Sequence, residues 1–227
     1  MMRGPRVTHR QDKDALYDAL ASVAKALGNG RRAEIVDVLA QGERRVEDLA
    51  REIGQSVANT SQHLQVLLRT SLVTTRREGT RVYYSLASDR VAALWPALRD
   101  VAARHVSSVE ELAAAYLGDR AGLAGISRAE LVERLRAGDV VVLDVRPDAE
   151  FTAGHLPGAV NVPPNELEQR LGALPPGQQV VAYCRGPYCV YADDAVRLLT
   201  AAGRDARRLD DGYPEWATAG LPVVTGR

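Results

Sequence analysis

The sequence predicts two domains, a mainly α-helical one followed by an α/β domain with a parallel sheet. Apolar residues recur at the spacing of a single helix face through much of the N-terminal half. The C-terminal half instead contains continuous apolar runs, at residues 140–143 and 179–183, that alternate with helical patterns. Such runs are typical of strands buried on both faces of a parallel sheet. A length of 227 residues is sufficient for two small domains.

The N-terminal half is predicted to begin with four helices. Glycine-containing breaks separate the first three, and Ser56 is suited to be the N-cap of the fourth because its hydroxyl can accept a backbone N–H. The fourth helix carries apolar residues on one side and amide side chains on the other. The predicted helices cover residues 12–27, 31–39, 46–53 and 57–68.

A basic hairpin and a long helix are predicted to complete this half. The β-like runs at 72–77 and 81–86 are joined by a turn at Gly79. The last helix is predicted over residues 88–117, with a kink or a break at Pro96, since proline lacks the N–H that a helix interior needs.

Two short helices followed by a basic hairpin form the outline of a winged helix-turn-helix, a DNA-binding arrangement. Amide side chains on the fourth helix can pair with base edges in the major groove, and arginines on the hairpin can reach phosphates. The alternative is an ordinary amphipathic helix with a solvated polar face. The candidate DNA-binding residues are Gln55, Ser56, Asn59, Gln62, His63, Gln65, Arg69, Arg76, Arg77 and Arg81.

Residues 15–95 resemble the ArsR/SmtB family of winged-helix repressors, most specifically in the segments SVANTSQHLQVL and GTRVYY. The resemblance implies a homodimer, with its first and last helices at the interface, that binds an inverted-repeat operator in double-stranded DNA and is released by an inducer. Metal-sensing members carry Cys-x-Cys at the third helix, where this chain has RRVEDL. We therefore predict no metal site and no cofactor, so the signal must enter elsewhere.

The C-terminal half contains both cysteines of the protein, in the loop Cys184-Arg185-Gly186-Pro187-Tyr188-Cys189. A predicted strand precedes this loop and a predicted helix follows it, so backbone N–H groups and the helix dipole favour a thiolate at Cys184. Gly186 permits a tight backbone and Pro187 stiffens it. Arg185 either attracts an anionic substrate or is simply solvated.

Asp144 and Arg146 follow another predicted strand, at the sheet edge where open α/β sheets place functional groups. A structural ion pair is the interpretation we favour for them over direct chemistry. Ser127 is the predicted N-cap of the helix that opens this half. The predicted domains are thus residues 12–117 and 127–224, joined by a linker at 118–126.

Residues 127–224 resemble a rhodanese domain, through the motifs LDVRP, EFTAGHLPGAVNVP, the cysteine loop and DGYPEW. The resemblance implies a parallel sheet flanked by helices, in which Cys184 accepts a sulfane sulfur as a persulfide and passes it to an acceptor. Thiosulfate-active rhodaneses carry arginine where this chain has Cys189, and related phosphatases carry arginine where it has Val190. These departures weaken the case for thiosulfate turnover and for oxyanion chemistry. Cys189 is either a resolving thiol or a small buried apolar residue.

Three functional hypotheses follow. The first is a repressor whose rhodanese domain senses sulfane sulfur, with a small sulfur compound as donor or acceptor. The second is a sulfurtransferase with an autoregulatory DNA-binding domain, and the third, less favoured, is an oxyanion reductase of the arsenate type. The N-terminus lacks an apolar segment of the kind that targets a chain for export, and no stretch approaches a membrane span. We therefore expect a cytoplasmic protein with no membrane partner.

Overall fold

The computed structural model describes residues 6–170, 172 and 174–226. It divides into two compact units, of which the first ends at Val91 and the second begins at Ala92. No helix within the described ranges is long and apolar enough to cross a membrane.

The first unit is a winged helix-turn-helix, as predicted. Its three-stranded antiparallel sheet has the order β1-β3-β2, and β2 and β3 form the predicted hairpin with Gly79 at the turn in a left-handed conformation. Buried apolar side chains of the helices, among them Ile35, Leu49 and Leu64, form its core. The elements are α1 (Arg6–Leu27), α2 (Gly30–Leu39), β1 (Arg44–Arg45), α3 (Val46–Glu52), α4 (Val57–Arg69), β2 (Val73–Glu78) and β3 (Arg81–Leu86).

The predicted long helix is two helices, α5 (Asp89–His105) and α6 (Ser108–Leu117). The predicted break does not occur at Pro96, because Pro96 lies buried inside α5. The helix ends instead at His105, and Val106 and Ser107 separate it from α6; β-branched residues and serine both have lower helix propensity than alanine or leucine. Helix α5 begins in the first unit and continues into the second.

The second unit contains a five-stranded sheet in which all pairs are parallel, in the order β4-β8-β7-β5-β6. This confirms the predicted α/β fold with a parallel sheet. Its strands are β4 (Gly125–Ile126), β5 (Val140–Asp144), β6 (Val160–Asn161), β7 (Gln179–Tyr183) and β8 (Ala206–Leu209). Its helices after α6 are α7 (Arg128–Ala137), α8 (Asp148–Ala153), α9 (Leu167–Arg170), α10 (Val190–Ala201) and α11 (Tyr213–Thr218).

The central strands β5 and β7 are buried on both faces, which explains their continuous apolar sequence. Leu143 and Ala182 pack in a cluster with residues of α10, whereas Val142 and Val181 pack on the opposite face with Trp216 of α11. The register pairs Asp144 with Tyr183, so both strands end at the same edge of the sheet. That edge carries Asp144 and Tyr183, and the cysteine loop begins there.

The domain limits inferred from sequence stay a prediction. Strand β4 lies within the predicted linker, where Ile126 pairs with Leu209 of β8. Ser127 then accepts a hydrogen bond from the Glu130 N–H at 3.2 Å, so it is the N-cap of α7.

Candidate functional site

The loop that holds both cysteines connects β7 to α10. Cys184 directly follows β7 and is 2 % exposed, and Cys189 occupies the N-cap position of α10. Their Cα atoms are 6.3 Å apart and their sulfurs are joined in a disulfide bond. The structure thus brings together the two residues predicted to be reactive, and the thiolate expected at Cys184 requires this bond to be open.

The backbone of the loop depends on two glycines. Gly186 has φ of +156°, a value that side chains with a Cβ rarely adopt. A Cβ on Gly212, which precedes α11, would lie 2.5 Å from the carbonyl carbon of Arg185. The Tyr213 N–H donates to the Cys184 carbonyl at 3.0 Å. The DGYPEW motif therefore packs against one side of the cysteine loop and supports its backbone.

Arg185 is neither solvated nor turned toward open space. Its guanidinium donates to both oxygens of Glu150, at 2.6 and 3.1 Å, and the Glu150 side chain is 1 % exposed. A bidentate pair of this kind orients the arginine rigidly. Arg185 therefore anchors the loop to α8.

Two further arginines contact the loop region, and no sequence motif singles them out. Arg99 of α5 donates to Glu215 of α11 at 2.6 Å, and its guanidinium lies 5.9 Å from the ring centroid of Tyr188. Arg120, which follows α6, donates to Asp193 of α10 at 2.5 Å. These partners are separated by 116 and 73 residues along the chain, so no local pattern marks them.

Arg120 also binds the loop backbone itself. It donates to the carbonyl of Pro187 at 2.9 Å and, with a longer contact of 3.4 Å, to that of Cys189. A cleft of about 510 Å³ adjoins the loop and is lined in part by Arg99, Tyr188 and Arg128. The cleft gives a small molecule room beside the loop.

Asp144 and Arg146 form a fully buried ion pair at 2.6 Å, at the carboxyl end of β5. Arg146 also donates to the Gly154 carbonyl at 2.7 Å and lies 4.2 Å from the ring centroid of Tyr213. The Tyr183 hydroxyl donates to Asp144. Burial, together with the neighbouring Asp144 carboxylate, raises the pKa of the Tyr183 phenol. This network ties the ends of β5 and β7 to the start of α11, the structural role favoured from sequence.

Helix α4 presents most of its predicted DNA-binding side chains on one surface. Thr60, Leu64 and Leu67 are buried, and Ser56 caps the helix by accepting the Asn59 N–H at 3.2 Å. The Asn59 side chain donates to Gln55 at 2.6 Å, so these two amides hold each other. The side chains left exposed for a groove are Gln62, Gln65 and Arg69, with His63 half-buried beside them.

The hairpin arginines differ from one another. Arg76 is paired with Glu43 and with Glu78 at 2.8 Å, and its guanidinium lies 4.7 Å from the ring centroid of Tyr83. The hydrogen bonds from Arg76 hold the pKa of Glu43 below its usual value. Arg77 and Arg81 are exposed near the turn. Arg77 and Arg81 are therefore better placed than Arg76 to meet a phosphate.

Among the described residues, no group of three or more His, Cys, Asp or Glu side chains is arranged to hold a metal ion. The prediction that the protein uses no metal or cofactor stays a prediction.

Comparison with protein families gives two matches. Residues 29–75 match the bacterial regulatory protein, arsR family, and residues 127–219 match the rhodanese-like domain. The HTH-type transcriptional regulator Rv0324 of Mycobacterium tuberculosis is 50 % identical over 214 residues, which cover 94 % of this chain and 94 % of that protein. This similarity extends through both units.

Other relatives match one half each. A sulfurtransferase of Allochromatium vinosum is 34 % identical over 86 residues, covering 38 % of this chain and 79 % of that protein. Among solved structures, the homodimeric winged helix-turn-helix DNA-binding domain of Mb0332 from Mycobacterium bovis is 45 % identical. The match covers 46 % of this chain and 92 % of that chain, with a TM-score of 0.40.

Proposed function

The chain belongs to the ArsR family of bacterial regulatory proteins and carries a rhodanese-like domain, and on that premise we propose that it is a repressor controlled by sulfane sulfur. The observation that carries the proposal is the pairing of Cys184 with Cys189 in one loop. Both cysteines of the protein lie there, and the DNA-reading side chains lie in the other unit. A thiol-reactive signal therefore reacts with the cysteines of this loop, and that reaction changes the affinity for DNA.

The proposed chemistry needs no oxidant other than the sulfur donor. The Cys184 thiolate attacks the outer sulfur of a persulfide or polysulfide, forming an S–S bond on Cys184 while the donor's S–S bond breaks and its remainder leaves as a thiolate or a shorter polysulfide. Cys189 then attacks the Sγ atom of Cys184, and the sulfane sulfur leaves as hydrosulfide. Two thiols are oxidised to a disulfide, and the sulfane sulfur is reduced to sulfide.

The proposed DNA-binding form is a homodimer on an inverted repeat, in the cytoplasm where the chromosome lies. An apolar face of α1 supports the dimer, since Leu16, Tyr17 and Leu20 are each more than half exposed within the first unit. On DNA, Gln62 and Gln65 read base edges, while Arg69, Arg77 and Arg81 contact phosphates. Replacing both glutamines with alanine should reduce the preference for the operator over random DNA, and replacing Arg77 should weaken binding to both.

A titration of operator binding with sodium polysulfide tests the sensing function. The probe is a duplex selected from random DNA by the reduced full-length protein. We expect polysulfide to release the wild-type protein and leave Cys184→Ser bound. Equal release of both proteins contradicts the proposal.

Intact-mass spectrometry tests the role of Cys189. We expect polysulfide to lower the mass of the reduced wild-type protein by about 2 Da, as for a disulfide, and to raise that of Cys189→Ser by about 32 Da, as for a trapped persulfide. A persulfide that persists in the wild-type protein contradicts the resolving role.

A sulfurtransferase is the second candidate, favoured by the Allochromatium vinosum relative named for that activity and by the cleft beside the loop. It predicts steady-state transfer of sulfur from thiosulfate or a persulfide to cyanide. A sensor instead reacts once per protein molecule, because the reaction stops when the disulfide has formed. Measured turnover therefore separates the two functions.

A further inference from the structure

The cysteine loop is held by arginines from outside the rhodanese-matched segment, which begins at residue 127. Arg99 lies on α5. Arg120 lies three residues after the end of α6 at Leu117. Their side chains are 10 % and 24 % exposed, and the carboxylates they pair with, on Glu215 and Asp193, are 9 % and 0 % exposed. The carboxylates are buried and the arginines partly so, and loss of either arginine would leave a buried carboxylate without that cation, which is costly.

Arg99 reaches the loop through a short chain of contacts. It donates to one oxygen of Glu215, and the other oxygen accepts the Gly212 N–H at 2.8 Å. The Gly212 backbone in turn lies against Gly186 in the loop. A Cβ on Gly186 would itself lie 3.2 Å from the Arg99 guanidinium. A shift of the loop backbone at Gly186 must therefore move Arg99, Glu215 or both.

Arg120 binds the other end of the loop. Its guanidinium joins the carbonyls of Pro187 and Cys189 to the buried carboxylate of Asp193. Opening the Cys184–Cys189 bond frees Cys189 from its covalent partner and changes the restraint on these carbonyls. If they move, Arg120 either follows them and weakens its pair with Asp193, or stays and loses the two carbonyl contacts; each loss is unfavourable beside a buried carboxylate.

We propose that Arg99 and Arg120 are positioning residues through which the state of the Cys184–Cys189 pair is transmitted to α5 and α6. The inference rests on the proposed function, for which it names the route of the signal. Helix α5 begins at Asp89, within the first unit, so a change in α5 reaches that unit along the chain itself. Transmission requires that the two states of the loop differ in their contacts with the two arginines.

Hydrogen exchange tests the inference without DNA. The full-length protein is compared in its disulfide form and after reduction with dithiothreitol. Dithiothreitol reduces the protein disulfide to two thiols and is itself oxidised to a cyclic disulfide. We expect amide exchange in α5 and α6 to differ by about fivefold or more between the two forms of the wild-type protein. In Arg99→Gln and Arg120→Gln, we expect the difference in the helix that carries or precedes the changed residue to fall below about twofold.

Matched controls separate transmission from a general loss of structure. Arg104→Gln, on the exposed surface of α5, and Arg136→Gln, exposed on α7, remove the same charge without touching the loop. Both should respond as the wild-type protein does. Arg120→Lys keeps the charge beside Asp193 but lacks the branched guanidinium that reaches both carbonyls, so we expect a partial response. All variants are compared by circular dichroism and by the extent of disulfide formation.

The outcomes distinguish this inference from the proposed function. Equal exchange in the two forms of the wild-type protein, or an undiminished difference in both Gln variants, overturns the inference. If the wild-type helices respond and both Gln variants lose the response, the inference stands, even if operator binding is the same in both forms. In that last case the proposed function fails, because the signal reaches α5 without changing DNA binding.

Discussion

The backbones of Gly212 and Gly186 are in contact, and a Cβ on Gly212 would lie 2.3 Å from the Gly186 amide nitrogen. No side chain larger than hydrogen fits between the start of α11 and the cysteine loop. The Tyr213 hydroxyl stands in a similar relation to Gly154, where a Cβ would lie 2.0 Å from it. Three of the motifs that resemble a rhodanese thus contain glycines at which separate segments approach closely.

Gly212→Ala should displace the cysteine loop. We expect the free energy of unfolding of the second unit to fall by about 1–3 kcal/mol, the usual cost of inserting a methyl group into a packed site. The reaction of reduced Cys184 with polysulfide, followed by intact mass, should also slow. Gly122→Ala is the control, since a Cβ there meets nothing within 4 Å. A wild-type rate in Gly212→Ala would show that the loop tolerates the displacement.

Arg146→Met should destabilise the second unit strongly. It leaves the Asp144 carboxylate buried without its cation, and removal of one partner from a buried ion pair typically costs about 3–5 kcal/mol. Urea unfolding measures the loss. The double variant Asp144→Leu/Arg146→Met should recover part of it because no uncompensated charge remains. A single variant that loses less than about 1 kcal/mol would contradict the structural role.

Glu43→Gln should strengthen DNA binding. Glu43 is one of the two carboxylates that hold Arg76 in the free protein, so its removal leaves only Glu78 to compete with a phosphate for the guanidinium. We expect tighter binding to a DNA duplex at low salt, and a plot of log affinity against log salt that is steeper by up to about 0.9. Glu47→Gln is the control, because it removes the same charge from an exposed position on α3. If it has an equal effect on the slope, the release of Arg76 is not the cause.

The titration of Tyr183 should lower the free energy of unfolding as the pH becomes alkaline. Burial, with the Asp144 charge, raises the phenol pKa in the folded state above its usual value of 10.0. The unfolded chain therefore loses this proton at a lower pH than the folded protein does. The stabilising contribution is complete below about pH 10 and is lost as the pH rises above it, with a slope of up to about 1.4 kcal/mol per pH unit.

Urea unfolding between about pH 9 and pH 11 measures this effect. Tyr183→Phe removes the titrating group, so its stability should fall less steeply with pH, although it starts lower because Asp144 loses a hydrogen bond. Equal slopes in the two proteins would assign the alkaline loss to other groups.

The sequence by itself determined much of the local structure. Ser56 and Ser127 cap the helices they were predicted to cap, and β7 covers the predicted residues 179–183. These features depend on neighbours within a few residues, through apolar periodicity and through hydroxyls that reach nearby N–H groups. The sequence also placed both cysteines in one loop, since five positions separate them.

The tertiary structure decided which charged groups meet that loop. The hydrogen bonds of Arg99 and Arg120 join residues more than sixty positions apart, and the periodicity of apolar residues carries no information at that range. It also decided that Arg185 is paired with Glu150 and Arg76 with Glu43, although Arg76 was expected to reach a phosphate and Arg185 either to attract an anion or to be solvated. An arginine is available or paired according to which carboxylate the folded chain brings beside it, and that depends on the path of the whole chain.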